Sequence, residues 1–133
     1  MVKNYGLNCL RVNGFDVGVI VIPSNSVATL SFTSDAAYKN IIFVSKKPTE
    51  CIIHVANNKT TNGLEDFVIE NPCNYPISIF VSAFHLNPDT MRLVQNSMRK
   101  VVTDRNNYSY GFEDGTDADY NDIVVNVQIE KLC

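Results

Sequence analysis

Leu7-Asn-Cys-Leu-Arg-Val-Asn-Gly-Phe-Asp-Val-Gly-Val-Ile-Val-Ile22 holds two apolar runs, Leu7–Val12 and Phe15–Ile22, separated only by Asn13-Gly14. Asn and Gly tolerate the left-handed backbone that a two-residue hairpin turn demands, so the pair predicts two antiparallel strands. The same period-two or short β-branched pattern recurs at Val27–Thr33, Asn40–Ser45, Glu50–Val55, Leu64–Glu70, Ile77–Phe84, Met98–Thr103, Tyr108–Phe112 and Ile123–Glu130. Pro23, Pro48, Pro72, Pro76 and Pro88 all fall between these runs, where a missing N–H does no harm to a sheet. Short strands at this spacing predict an all-β fold, an antiparallel β-sandwich of about nine to ten strands. It is expected to fill one domain over residues 1–133, with residues 1–17 adding an extra N-terminal hairpin strand. Only Pro88–Met98 reads differently: Met91, Val94 and Met98 recur at helical spacing, which predicts a short helix or an irregular crossover there.

The 133 residues are 45% hydrophobic and 19% charged, which excludes a disordered or fibrous chain. No stretch reaches the roughly 18 apolar residues of a membrane span. The run Val17–Ile22 is short, contains Gly18 and lacks a following cleavage site, so no signal peptide is read. Synthesis in the cytosol is expected, with any export or cell-surface role reached by a non-classical route. Cys9, Cys51, Cys73 and Cys133 are scattered without a C-x-x-C pair, which argues against a zinc ribbon and favours free or buried thiols over disulfides.

A net charge of −3 argues against a nucleic-acid partner, but its distribution says more. Glu113, Asp114, Asp117, Asp119 and Asp122 fall within ten positions that contain no Lys or Arg. Without them the chain carries nine acids against eleven bases. The segment Gly111-Phe-Glu-Asp-Gly-Thr-Asp-Ala-Asp-Tyr-Asn-Asp122 leads straight into a strand with Ile123, Val125, Val127 and Ile129 on one face and Val124, Asn126, Gln128 and Glu130 on the other. Carboxylates about 4 Å apart repel by roughly 1 kcal/mol in water and about 4 kcal/mol at an effective dielectric near 20. Five in one short loop need a counter-charge, and no local base supplies it. An all-oxygen donor set disfavours zinc and copper, and magnesium seldom enters so dense a protein cage. Calcium fits. An EF-hand does not, because Asp122 stands where that loop requires Gly, Gln128 where it requires Glu, and a β-pattern follows. The surplus of carboxylates suits two adjacent Ca2+ ions, whose +4 nearly balances the segment's −5.

Glu113-Asp-Gly-Thr-Asp-Ala-Asp-Tyr-Asn-Asp-Ile-Val-Val125 closely resembles the loop of the calcium-mediated bacterial fucose/mannose-binding lectins, small β-sandwiches in which two neighbouring calcium ions coordinate sugar hydroxyls. Gly18-Val-Ile-Val-Ile-Pro23-Ser-Asn25 is a weaker echo of the same family. The resemblance implies that Glu113, Asp117, Asp119 and Asp122 hold one ion. Asp119, Asn121 and Asp122 would hold the other, with Asp119 and Asp122 bridging. It further implies that the Ser34 carbonyl joins the metal shell and that Asp114 accepts a hydrogen bond from the sugar. Asp35 and Ala36 would face the sugar, which Asp117, Asp119 and Asp122 also border. Three features depart from the family. Residues before Gly18 have no counterpart, Asp35 replaces a small neutral residue, and the chain runs one residue further after Asp122, to Cys133. The last matters because a neighbour's C-terminal carboxylate completes the calcium shell in that family.

Calcium held in an exposed loop keeps coordination sites open to water, and vicinal sugar hydroxyls can replace that water as neutral oxygen ligands. The leading expectation is therefore a non-enzymatic, calcium-dependent lectin with a carbohydrate partner, gaining avidity as a homodimer or larger assembly. A structural or adhesive β-domain, whose calcium only stiffens the loop, is the alternative. A metal-dependent hydrolase lacks a general acid or base outside the ligands themselves. His54 and His85 read as ordinary sheet residues, and Tyr108 and Tyr110 as packing more than stacking on sugar. Asn58-Lys-Thr60 and Asn107-Tyr-Ser109 match the glycosylation acceptor pattern without a secretory context.

Overall fold

The computed structural model describes residues 2–4, 9–12, 15–36, 38–48, 50–113 and 122–132, with side chains from 16 onward. They form twelve strands: β1 (Val2–Asn4), β2 (Cys9–Val12), β3 (Phe15–Ile22), β4 (Ser26–Ser34), β5 (Asn40–Lys47) and β6 (Glu50–Asn57), then β7 (Phe67–Asn71), β8 (Ile77–Asn87), β9 (Arg92–Gln95), β10 (Ser97–Asp104), β11 (Asn107–Glu113) and β12 (Ile123–Lys131). A seven-stranded sheet runs β1-β2-β3-β8-β5-β6 with β9 beside β8, and a five-stranded sheet runs β10-β11-β12-β4-β7. All the pairings are antiparallel. Each of the ten predicted runs coincides with a strand, and two short strands, β1 and β9, join them. The hairpin read at Asn13-Gly14 is flanked as expected by the pair Val12↔Phe15. Residues 13 and 14 themselves lie outside the described set.

Period-two patterning builds the core. Ile20, Ile22, Ile42, Val44, Ile79 and Val81 come from the seven-stranded sheet. They meet Ala28, Leu30, Phe32, Tyr110, Phe112 and Val125 of the five-stranded one. Burying each large aliphatic or aromatic side chain contributes roughly 1.5–3 kcal/mol, so this shared core outweighs any single polar tie. Gly18 sets the closeness of the sheets: a Cβ there would meet Val81 Cγ2 at 2.8 Å and Tyr110 Cε1 at 2.9 Å. Through that gap Tyr110 Oη donates to the Val19 carbonyl at 2.9 Å, joining the two sheets.

The Pro88–Met98 segment corrects the helical reading. After β8 the Asn87 carboxamide accepts from the backbone N–H groups of Asp89 (2.9 Å) and Thr90 (3.3 Å), and Met91 takes a positive φ of 56°. These features reverse the chain into β9, which pairs Leu86↔Leu93 and Phe84↔Gln95. Met91 and Val94 are 70% and 42% exposed, so their helical spacing builds no buried stripe. Cys51 and Cys73 are free thiols, as expected, while the side chains of Cys9 and Cys133 lie outside the described residues. No helix among the described residues is long and apolar enough to cross a membrane.

Candidate functional site

The acidic segment leaves β11 and returns on β12, its immediate neighbour, with Phe112↔Ile123 as the last paired rung. Glu113 and Asp122 stand one residue outside that rung, one on each strand. Both are buried, at 4% and 7% exposure, and both Glu113 carboxylate oxygens are shut off from solvent. On the far side of β12, Ile123 pairs with Ser34 at the end of β4. Three consecutive strands thus deliver Glu113, Asp122 and Ser34 to one end of the five-stranded sheet.

Backbone and side-chain ties fix this end. Ser34 Oγ donates to the Asp122 carbonyl, and Asp35 N–H donates to the same oxygen at 3.3 Å. The early loop and the acidic segment's C-terminal root are therefore tethered directly. Asp35 is exposed and Ala36 half-buried beside it. Asp114, Asp117, Asp119 and Asn121 lie outside the described residues. Among the described residues no three metal-ligating side chains cluster.

Behind Ser34 runs a polar relay that sequence reading missed. Asn58 Nδ2 donates to Ser34 Oγ (3.1 Å) and to the Tyr38 carbonyl (3.0 Å), while Asn58 Oδ1 accepts from Asn40 N–H (2.9 Å). Asn96 Nδ2 donates to Asn40 Oδ1 at 2.6 Å, and His85 Nδ1 sits 2.7 Å from Asn96 Oδ1. Since that amide nitrogen faces Asn40, its oxygen must accept, and His85 must carry its proton on Nδ1. Asn40, Asn96 and His85 are buried at 0%, 1% and 8% exposure, so each pairing satisfies a group that would otherwise cost about 1–3 kcal/mol. Asn58 is held by the tight 57–63 turn, where Asn57 N–H reaches the Gly63 carbonyl (2.9 Å) and a Cβ on Gly63 would strike the Asn57 carbonyl oxygen at 2.3 Å. The Asn58 carboxamide, which matches the glycosylation acceptor pattern, is spent inward. Sixteen Asn residues were the one compositional hint of such a network.

The donors suit a hard cation. Two buried carboxylates at the roots of an anionic segment, with hydroxyl and carbonyl oxygens beside them, make an all-oxygen environment in which uncompensated charge would be costly. His85 is committed to Asn96, and His54 lies between the Phe32 and Phe67 rings, with centroids 5.6 and 4.5 Å away. Neither joins a nitrogen ligand set with Glu113 and Asp122.

Solved structures share this architecture. The C-terminal domain of BC2L-C lectin from Burkholderia cenocepacia matches at 20% identity and TM-score 0.58, covering 87% of this chain and 97% of that one. Chromobacterium violaceum lectin CV2L, solved in complex with alpha-methyl-fucoside, matches at 19% identity and TM-score 0.59, covering 86% and 96%. The Ralstonia solanacearum high-affinity mannose-binding lectin matches at 21% identity and TM-score 0.56, also covering 86% and 96%. No curated protein sequence matches. Over residues 9–130 the chain belongs to the family described as "Domain of unknown function (DUF4114)", and its fold is that of the bacterial fucose- and mannose-binding lectins.

Proposed function

We propose that this chain is a calcium-dependent carbohydrate-binding protein, a lectin for fucose- or mannose-type sugars and the glycans that carry them. The observation that carries the reading is the placement of Glu113 and Asp122, both buried, on either side of the last β11–β12 rung, with Ser34 tied to Asp122. Glu113, Asp117, Asp119, Asn121 and Asp122, with the Ser34 carbonyl, would hold two Ca2+ ions. When bound, calcium supplies open coordination positions that neutral, vicinal hydroxyls can fill. The chain's own part is to fix its oxygen donors beforehand, through the strand register and the Asn58–Ser34–Asp122 ties. Asp114, Asp35 and Ala36 would then contact the sugar. The lectin folds it shares belong to proteins solved with a fucoside or named for mannose, which supports this sugar class.

Binding without catalysis is part of the same reading. Among the described residues, the two histidines are engaged by an amide and by phenyl rings, so neither is poised as a general base at this end of the sheet. Multivalent presentation as a dimer or larger assembly would raise avidity. The outer face of the seven-stranded sheet suits it: Phe43, Phe80 and Phe84 are only half-buried there, with Phe43 and Phe84 edge to face at 5.7 Å.

A second reading, in which calcium only locks the loop, draws on the tether between the β4 and β12 ends. Calorimetric titration with methyl fucoside and methyl mannoside, first with calcium and then with EDTA, separates the two. Heat of binding that EDTA abolishes supports the lectin. A calcium-raised Tm without any sugar heat supports the stabilising role and overturns the lectin.

A further inference from the structure

The outer faces of the two sheets differ in chemistry. On the five-stranded sheet, cross-strand pairing lines up Ser109↔Asn126↔Ser31 in one row and Asn107↔Gln128↔Thr29 in the next. Directly paired residues point to the same face, so these six neutral hydrogen-bonding groups form a grid repeating roughly every 5 Å across the strands and about 7 Å along them. They line a groove of about 300 Å3 in which Asp66 is the one charged residue among the described residues. Two of the amides are already oriented: Asn107 Nδ2 donates to Asp104 at 3.0 Å, and Gln128 Nε2 donates to Glu130 at 3.1 Å. Exposed apolar residues close the rows at both sheet edges. Val101 pairs with Ser109 and is 50% exposed, and Val68 pairs with Thr29 and is 55% exposed.

We propose that this groove is a second carbohydrate-binding site, taking a neutral polysaccharide chain without metal. A sugar chain presents hydroxyls along its edges and apolar C–H faces, which match a neutral polar floor with valines at the ends. An anionic polymer finds no Lys or Arg among the described residues that line the groove. A protein partner would need the aromatic or Arg anchors that dominate protein interfaces, and the aromatic surface lies on the other sheet. Along β11, Ser109 is four residues from Glu113, roughly 13 Å, so this row of the groove lies apart from the buried Glu113. The proposal holds whether or not that segment binds sugar.

Affinity electrophoresis in EDTA tests it, with mannan, dextran, amylose or xylan cast in the gel and polygalacturonate as the anionic control. At least one neutral polymer should retard the protein, and polygalacturonate should not. The Asn126→Ala/Gln128→Ala double variant, altered at two exposed positions, should weaken that retardation at least tenfold. Ser109→Arg, which fills the groove instead of emptying it, should do the same. Retardation by none of the four neutral polymers overturns the proposal, as does retardation that both variants retain. Retardation seen only with calcium, and lost in Asp122→Asn, would assign the binding to the acidic segment instead.

Discussion

Ser34 and Asp122, far apart in sequence, are joined at the end of the five-stranded sheet: the Ser34 hydroxyl donates to the Asp122 carbonyl while accepting from Asn58 Nδ2. The hydroxyl thus connects the root of the acidic segment to a relay that continues through Asn40 and Asn96 to His85. A carboxylate that must ligand a metal is best held by a backbone that cannot drift, and this carbonyl has two donors.

Ser34→Ala is therefore expected to cost about 1–2 kcal/mol of stability in urea unfolding, the range for a lost buried hydrogen bond. It should also weaken calcium binding severalfold while leaving the carboxylates proposed to hold the metal in place. Asp122→Ala should go further and eliminate any rise of Tm on adding calcium, because stabilisation by a ligand requires binding to the native state. A full calcium-induced Tm rise in Asp122→Ala would remove this residue from the metal shell.

Much of the sandwich was legible because its strands obey period two and its prolines sit outside them. Along Ile123–Glu130, for example, every second residue is Ile or Val, and the register against β4 runs from Ile123↔Ser34 to Lys131↔Ser26. Strand β9 was not legible, since the Asn87 carboxamide and the left-handed Met91, not hydrophobic spacing, reverse the chain. Glu113 and Asp122 could be singled out from local charge density. Asn58, Asn96 and His85 could not, because their partners come from distant segments: Ser34 lies 24 residues from Asn58, and Asn40 lies 56 from Asn96. Hydrogen-bond partners of that kind are set by sheet topology, which leaves no periodic trace.

Gly18 tests the closeness of the two sheets. In Gly18→Ala the added methyl would have to displace the Val81 methyl and the Tyr110 ring, and moving the ring weakens the tie to the Val19 carbonyl. Overpacking of this kind costs about 1–3 kcal/mol, and thermal unfolding should show a matching fall in Tm. Combining it with Val81→Ala, which vacates part of the space, should recover some of that loss. An unchanged Tm in the single variant would mean that the sheets separate easily at this point.

His54 gives the fold a pH dependence of defined sign. Its ring lies nearly parallel to Phe67, at 12°, its Nε2 is buried without a hydrogen-bond partner among the described residues, and burial lowers its pKa below the ordinary 6.5. The unfolded chain therefore takes up this proton first as pH falls, so stability is lost from about pH 6.5 downward and levels off below the folded-state pKa. Above pH 7 the ring is neutral in both states and contributes no slope. His54→Phe should preserve the three-ring stack and flatten the Tm-versus-pH curve between pH 7 and 5. An equally steep fall in the variant would place the titrating group elsewhere.

Tyr38 offers the proposed sugar site an aromatic platform. Its ring is 47% exposed yet stacked on His85 at 6.5 Å and 18° between planes. Its carbonyl accepts from Asn40 Nδ2 at 3.2 Å and Asn58 Nδ2 at 3.0 Å, which fixes the backbone just beyond Asp35 and Ala36. A ring held in this way loses little freedom when a sugar's apolar face settles on it, and such contacts are worth about 0.5–1.5 kcal/mol. Tyr38→Ala should therefore weaken sugar affinity by roughly 3- to 10-fold in calorimetry while leaving the calcium-induced rise in Tm intact. Tyr38→Phe, which retains the ring, should bind like the unaltered protein. Loss in both variants would transfer the role to the phenol hydroxyl, and loss in neither would take Tyr38 out of the site.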